Sequence, residues 1–401
     1  MSNQILFGLA DEKGVNNYKS PQNVTYKMET SLFLQDLESL SAEYCFQLAR
    51  YNNRTYESPL TSQLPPYQIS QLKSLSINGN DTPIQFKQDK FNNTYDMFNA
   101  TLGTVSGSEV TIDLEYEITL NEIEFANITD EKIGKYDQSD KIFELYCNKS
   151  QQFFETSNAD LISLSNSIVS SGDNPVEKAE KIFNWITENI DYVTRKDEEG
   201  ALYAYNNKKG DCSEFSDLMI TLLRIQEIPA RKVTGFVLTN DLTAEIEEEQ
   251  EWNFDQSYDS DTKTLSSENP YLGHAWVEYY VPNIGWIECD PTWGVQQEVE
   301  YFNRIDYMHF CSTVGSWIFY PPDGNFSEFP FLPTPSQYIE DSTNYEINTR
   351  IIILETNFAP QQIDPELWMI ILTTILVIAI IAAIVATVVV IIKKVFKNEK
   401  N

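Results

Sequence analysis

Hydrophobic and polar residues alternate most plainly at Val110 to Leu120, where Val110, Ile112, Leu114, Tyr116 and Ile118 fall on one side with mostly polar residues between them. A period of two is the mark of a strand with one buried face. The stretches VTYKMETSLFL, AEYCFQLARY, SLSINGND and TPIQFKQ have the same β character and are separated by turn residues. Together they predict an antiparallel β-sandwich over residues 21–135, after an N-terminal tail at 1–20. The period changes near Lys149. Glu155–Ile168 and Pro175–Asn189 read as helices, the second with Pro175 in its first turn and Val176, Ala179, Ile182, Phe183 and Ile186 along one side. Phe215, Leu218, Met219, Leu222 and Leu223 then mark a third helix that starts near Cys212 and ends before Pro229. The fold class expected is α+β, with a domain of helices packed on an antiparallel sheet at 150–320.

One segment departs from every soluble pattern. Leu367 to Ile392 carries no charged residue and is long enough to cross a bilayer. Asp364, Glu366 and the interfacial Trp368 precede or open it, and Lys393, Lys394, Lys397 and Lys400 follow it. The positive-inside rule then places the tail 393–401 in the cytoplasm and the bulk of the chain outside the cell or in a lumen, joined through an extension at 321–364. Residues 1–20 contain no apolar core of a signal peptide. That leaves two readings, a leader preceding the present start or a tail-anchored protein with a cytosolic body, and the lysines favour the first.

Charge and composition narrow the chemistry. The 401 residues suggest two or three domains, and an aromatic content of 13% is that of a chain that folds. A net charge of −32 excludes a nucleic-acid partner, which would require a basic stripe. With 5 Cys, 2 His and no Cys-x-x-Cys pair, no metal site and no cofactor are expected. The acidic stretch 240–269, with its run from Glu245 to Glu251, reads as a solvated loop inserted in the second domain. Its Asp255, Asp259 and Asp261 lack the glycine and terminal glutamate of a calcium loop.

Three segments concentrate reactive residues. Cys212 opens its helix, where terminal amides favour a thiolate. His274-Ala-Trp-Val-Glu-Tyr-Tyr280 and Gly285-Trp-Ile-Glu-Cys-Asp290 are aromatic and β-branched on either side of a turn, and so predict a hairpin. A loop of odd length centred near Pro282 would set Trp286 opposite Glu278, Glu288 opposite Trp276 and Asp290 opposite His274 on one side of the sheet. An imidazole held by a carboxylate is what a thiol nucleophile requires.

These segments, GDCSEFSDLMITLLRIQEIPARKVTGF, GHAWVEYY and GWIECDPTW, resemble the core of the transglutaminase-like superfamily, a papain-like thiol fold with the chain order Cys, His, Asp. The resemblance covers about residues 174–294 and is of the membrane-anchored microbial type. It implies Cys212 as nucleophile, His274 as general base and acid, and Asp290 as the orienting carboxylate. An oxyanion hole would combine the Cys212 amide with a side chain preceding it; Tyr203, Tyr205, Asn206 and Asn207 are within reach, with Tyr205 and Asn207 the candidates retained. His309 lies outside the motif and is expected to be a packed structural histidine. Cys289 is expected to be buried or disulfide-bonded, with Cys311 as its partner. The implied function is a membrane-anchored thiol enzyme that transfers or hydrolyses acyl groups at amide bonds of proteins or peptides through a Cys thioester. The other class is a catalytically inactive surface protein whose sandwich does the binding.

Overall fold

The structure, a computed structural model, describes residues 22–35, 46–54, 66–81, 85–89, 91–98, 108–126, 128–147, 153–195, 197–241, 246–296, 301–315, 337–339 and 343–358. The N-terminal part contains β1 (Gln22–Gln35), β2 (Phe46–Ala49), β3 (Gln68–Ile77), β4 (Asn80–Asp81), β5 (Gln85–Gln88), β6 (Thr94–Phe98), β7 (Glu109–Asn121) and β8 (Ile123–Glu124). Helices α1 (Lys141–Tyr146), α2 (Ala159–Ile168) and α3 (Pro175–Asn189) follow, then the short β9 (Asp191–Tyr192), α4 (Ala201–Asn207), β10 (Lys209–Gly210) and α5 (Cys212–Ile225). The remaining elements are strands: β11 (Ala230–Val237), β12 (Glu251–Asp259), β13 (Thr264–Ser266), β14 (Leu272–Val281), β15 (Gly285–Cys289), β16 (Arg304–Ile305), β17 (His309–Gly315), β18 (Gln337–Ile339) and β19 (Asn344–Phe358).

Local periodicity predicted the long elements well. β1 and β7 pair antiparallel, and Val24, Tyr26 and Met28 are buried along with Val110, Ile112, Leu114, Tyr116 and Ile118. α3 spans the expected residues because Asn174 closes a capping box: its side chain accepts from the Val176 and Glu177 amides, and Glu177 accepts from the Asn174 amide. Its Ala179, Ile182, Phe183 and Ile186 are buried.

The larger assembly differs from the expected one. β1, β3, β4 and β7 belong to a seven-stranded sheet ordered β13-β12-β19-β1-β7-β3-β4. The N-terminal region therefore does not close as a sandwich of its own; it takes strands from two segments far along the chain. One is the acidic stretch 240–269, expected as a solvated loop, in which β12 pairs with β19 and β13. Its acid count concealed aromatic residues that pack: Phe254 stacks on Tyr271 with ring centroids 5.0 Å apart, and Tyr258 stacks on Tyr345 at 5.5 Å. The acids stay at the edge, where Asp255 accepts from the amides of Glu268 and Asn269. The other is the expected extension 321–364, which supplies β19. Contacts gather the described residues up to Asn357 into one compact unit. The expected membrane span 367–392 lies outside the described residues, and among those described no helix is long and apolar enough to cross a membrane.

The second layer holds the chemistry. α5 packs on a four-stranded sheet ordered β15-β14-β11-β17, and Leu218, Met219, Leu222 and Leu223 share a buried core with Val233, Trp276, Val277 and Tyr279. The same layer buries an ionic cluster: the Lys232 ammonium on β11 lies 2.7 Å from both Asp217 of α5 and Glu198. Burial opposes the Lys232 charge, yet the two acids hold it above its ordinary range, while burial pushes the Asp217 carboxyl up. Removing one member strands the others in a dry interior. Lys232→Met is accordingly expected to lower unfolding stability by about 3–5 kcal/mol, read from the urea midpoint. A loss below about 1 kcal/mol would show that water or a neighbour already solvates the acids.

Candidate active site

Cys212 is placed by the start of α5. Asp211 is the N-cap, its side chain accepting from the Ser213 amide at 3.0 Å. The Glu214 carboxylate turns back to accept from the amides of Asp211 at 2.9 Å and Glu199 at 2.8 Å, so this acid is buried although it sits in the first turn. A Cβ on Gly210 would lie 2.3 Å from the Glu214 Cβ, which makes glycine the residue that fits before the cap. The thiol that results is half-buried and unpaired with any other cysteine.

The hairpin forms, and its loop is odd, the case in which Asp290 and His274 share a side of the sheet, but its register is shifted by two residues from a turn centred at Pro282. Val281 pairs with Gly285, Glu278 with Glu288 and Val277 with Cys289. The loop is Pro282-Asn283-Ile284, and the left-handed residue is Asn283 at φ 71°. Proline cannot adopt that conformation and asparagine can, so the turn centres one residue later than expected. Glu278 and Glu288, each expected opposite a tryptophan, thus face each other. Arg231 and Arg54 bind Glu278 and hold it below its usual range despite burial, whereas burial drives Glu288 well above its own. A shift of two preserves the side of the sheet. Asp290 therefore still meets His274, diagonally and from just past the end of β15.

The resulting contact is close. His274 Nε2 lies 2.6 Å from Asp290 Oδ2, and Asp290 Oδ1 accepts from the amides of Thr292 at 2.9 Å and Trp293 at 3.1 Å. The Asp-Pro-Thr-Trp sequence is thus a turn that aims the carboxylate. With Nε2 engaged, Nδ1 is the nitrogen left to face Cys212, whose charge adds to that of Asp290 in favouring the imidazolium. Burial disfavours the imidazolium, but Asp290 and then Cys212 outweigh it and raise the His274 pKa to about 9. Burial likewise acts against ionised Asp290, and His274 and His309 hold it well below the usual carboxylate range.

His309 is packed, as expected, yet it is also part of this group. Its Nε2 lies 3.2 Å from the same Asp290 Oδ2, and its Nδ1 lies 2.7 Å from Asp306 Oδ1. β14 and β17 flank β11, on which His274 stands beside Gly235 and His309 beside Val237, so both rings lie on one side of the sheet. A Cβ at Gly235 would be 1.7 Å from the Phe310 carbonyl oxygen, and this close approach accompanies the register shift that seats β17. Nothing in the local sequence signals a partner 19 residues upstream. Ligand atoms of His274, Asp290 and His309 lie within 4.8 Å of one another, the combination that could hold a metal ion, but their hydrogen bonds already engage those atoms.

The expected oxyanion side chains are placed differently. Asn207 is exposed and donates to the Tyr203 carbonyl at 3.0 Å. The Tyr205 ring lies 4.2 Å beneath the Lys208 ammonium. Among the described residues neither has a hydrogen bond or ring contact with Cys212, His274 or Asp290. Tyr192 on β9, which the sequence did not single out, pairs with Gly210 just before the Asp211 cap, and its ring centroid lies 6.4 Å from that of Phe215 in the first turn of α5. Of the two alternatives for Cys289, buried or disulfide-bonded to Cys311, the structure has the first. Both are buried free thiols, and Cys289 instead lies 3.8 Å from Asn303 Oδ1 and accepts from the Asn303 amide at 3.4 Å.

Residues 162–291 match the family described as the transglutaminase-like superfamily, a stretch that includes Cys212, His274 and Asp290. This part of the chain is a transglutaminase-like domain. It is 29% identical over 119 residues to the uncharacterized protein YebA of Bacillus subtilis, and 28% identical over 96 residues to a protein-glutamine gamma-glutamyltransferase of Pseudomonas aeruginosa. Those alignments cover 30% and 24% of this chain but only 14% and 12% of the relatives. Among solved structures, a candidate cysteine protease from Cytophaga hutchinsonii aligns at a TM-score of 0.46 and 14% identity, covering 86% of this chain and 96% of its own. Members of the superfamily are cysteine enzymes, and the transglutaminase-like domain here has a cysteine, a histidine and an aspartate in the matching order.

Proposed function

We propose that the chain is a thiol acyltransferase or amidase acting on proteins or peptides, with Cys212, His274 and Asp290 as its catalytic residues. The observation that carries this reading is an imidazole fixed at 2.6 Å by a fully buried carboxylate, with a half-buried thiol at a helix start close enough for its charge to act on the ring. His274 takes the thiol proton, the thiolate attacks an amide carbonyl, and the imidazolium returns the proton to the departing amine. A thioester remains on Cys212, to be opened by water or by a primary amine. Asp290 holds the ring orientation and stabilises the imidazolium. The Cys212 amide at the start of α5 is the oxyanion donor in this reading, and the phenol of Tyr192, on the strand paired with Gly210, is the side-chain candidate beside it.

A protein-glutamine gamma-glutamyltransferase among the relatives favours a glutamine side chain as acyl donor. The test is incubation of the chain with a glutamine-containing protein, with and without a primary amine, followed by mass spectrometry. Amine incorporation identifies transfer, and deamidation or backbone cleavage identifies hydrolysis. Absence of all three over a range of protein substrates would overturn the proposal. The uncharged segment 367–392 and the lysines after it support a membrane anchor with the body outside. Protease added to intact cells should then remove the body.

A further inference from the structure

The chain has 2 histidines, and both hydrogen-bond the same oxygen of Asp290. The usual arrangement gives the orienting carboxylate one imidazole to hold. Here a second ring lies on the other side of it, with ring centroids 5.4 Å apart, fully buried against Trp276, Trp293 and Tyr301. Its protonation follows from its neighbours. His309 has a carboxylate oxygen at hydrogen-bond distance from each ring nitrogen, Asp306 at Nδ1 and Asp290 at Nε2. A neutral imidazole has only one N–H, so one nitrogen would turn a lone pair toward a carboxylate in a dry interior. Asp306 is itself held as an anion: Tyr301 donates to its Oδ2 at 2.5 Å and the Met308 amide to its Oδ1 at 2.8 Å.

We propose that His309 is an imidazolium at neutral pH that shares Asp290 with His274 and thereby sets how strongly the catalytic imidazole holds its proton. This role rests on the reading of Cys212 and His274 as the catalytic pair, and His309 is a positioning residue in it, touching neither thiol nor substrate. The groups facing it are Asp290 just past β15, His274 on β14, and Asp306 and Tyr301 from the segment before β17, with Tyr26 of β1 beyond Asp306. The sign follows from charge. A fixed cation beside Asp290 draws on the same carboxylate and repels a proton on His274. Without it, Asp290 would bind the His274 imidazolium more tightly, and an imidazolium that does not release its proton cannot act as base in the next turnover.

The experiment is a pH titration of the full chain, solubilised in detergent and labelled with ¹⁵N at its 2 histidines. At neutral pH, His309 is expected to show both ring nitrogens protonated, and a neutral His309 would overturn the proposal without any mutation. In His309→Gln the one remaining signal belongs to His274, and its proton affinity is expected to rise about tenfold or more, the size of one like charge at this separation in a partly screened interior. An unchanged or lowered affinity in the folded variant would also overturn it. If the variant does not fold, the native titration alone decides. These readouts need no substrate: a chain that turns over no amide refutes the catalytic reading, whereas the titrations still test the sharing of Asp290.

Discussion

Cys212→Ala is expected to lower amine incorporation or ammonia release at least about ten-thousandfold while leaving the fold intact. The two parts of that expectation have separate causes. In the proposed reaction the thiol sulfur is the atom that becomes acylated, and an alanine methyl has no nucleophile to offer in its place. Alanine is a good helix former at an N-terminal position, and Cys212 is only half-buried, so the change in stability should stay within about 0.5 kcal/mol. Activity is read from mass-spectrometric product counts and stability from a urea melt. Residual turnover within tenfold of the native chain would remove Cys212 from the reaction.

Asp290→Asn is expected to be nearly as damaging to turnover and far more damaging to the fold. An amide at this position offers His274 Nε2 no negative charge, so the ring loses both its preferred orientation and the stabilisation of its imidazolium, a change that costs about 10⁴ in rate where a triad depends on it. Two buried imidazoles also lose their shared counter-charge, and the loss of a buried partner destabilises by about 3–5 kcal/mol. The pH dependence has a definite sign. His274 is raised to about 9 from an ordinary value near 6.5, so its contribution to stability is fully present below about pH 6.5 and is lost as pH rises toward 9. Asp290 is lowered, so its contribution is present above the ordinary carboxylate range and is lost as pH falls through and below it. Urea midpoints of the native chain are expected to decline between pH 6.5 and 9, and Asp290→Asn should flatten that decline. A variant that keeps the native slope would show that Asp290 does not set the charge of His274.

Several of these features were legible without coordinates, each for a local reason. α3 and α5 are encoded by apolar positions at helical spacing and by caps within four residues of the first turn. The hairpin itself was legible, and with it the rule that an odd loop would put His274 and Asp290 on one side of the sheet, while the roles of the two came from the resemblance. The exact register was missed because it depends on which loop residue takes positive φ, and Asn283 suits that conformation where Pro282 does not. The acidic stretch was misread because net charge describes an average, whereas strand formation by β12 depends on alternating residues such as Phe254 finding neighbours.

The sequence alone determined the elements whose pattern repeats every two or every 3.6 residues, and it determined the chain order of thiol, imidazole and carboxylate. Tertiary structure alone decided that β12 and β19 join the sheet of β1 and β7, that Cys289 and Cys311 stay apart as thiols, and that His309 reaches Asp290 from another strand. The division follows from the range of the forces involved. Periodicity and capping act between residues a few positions apart and leave their trace in consecutive letters. Strand partnership and the sharing of one buried carboxylate act across segments that only folding brings together, and they are fixed by which groups can satisfy one another out of water.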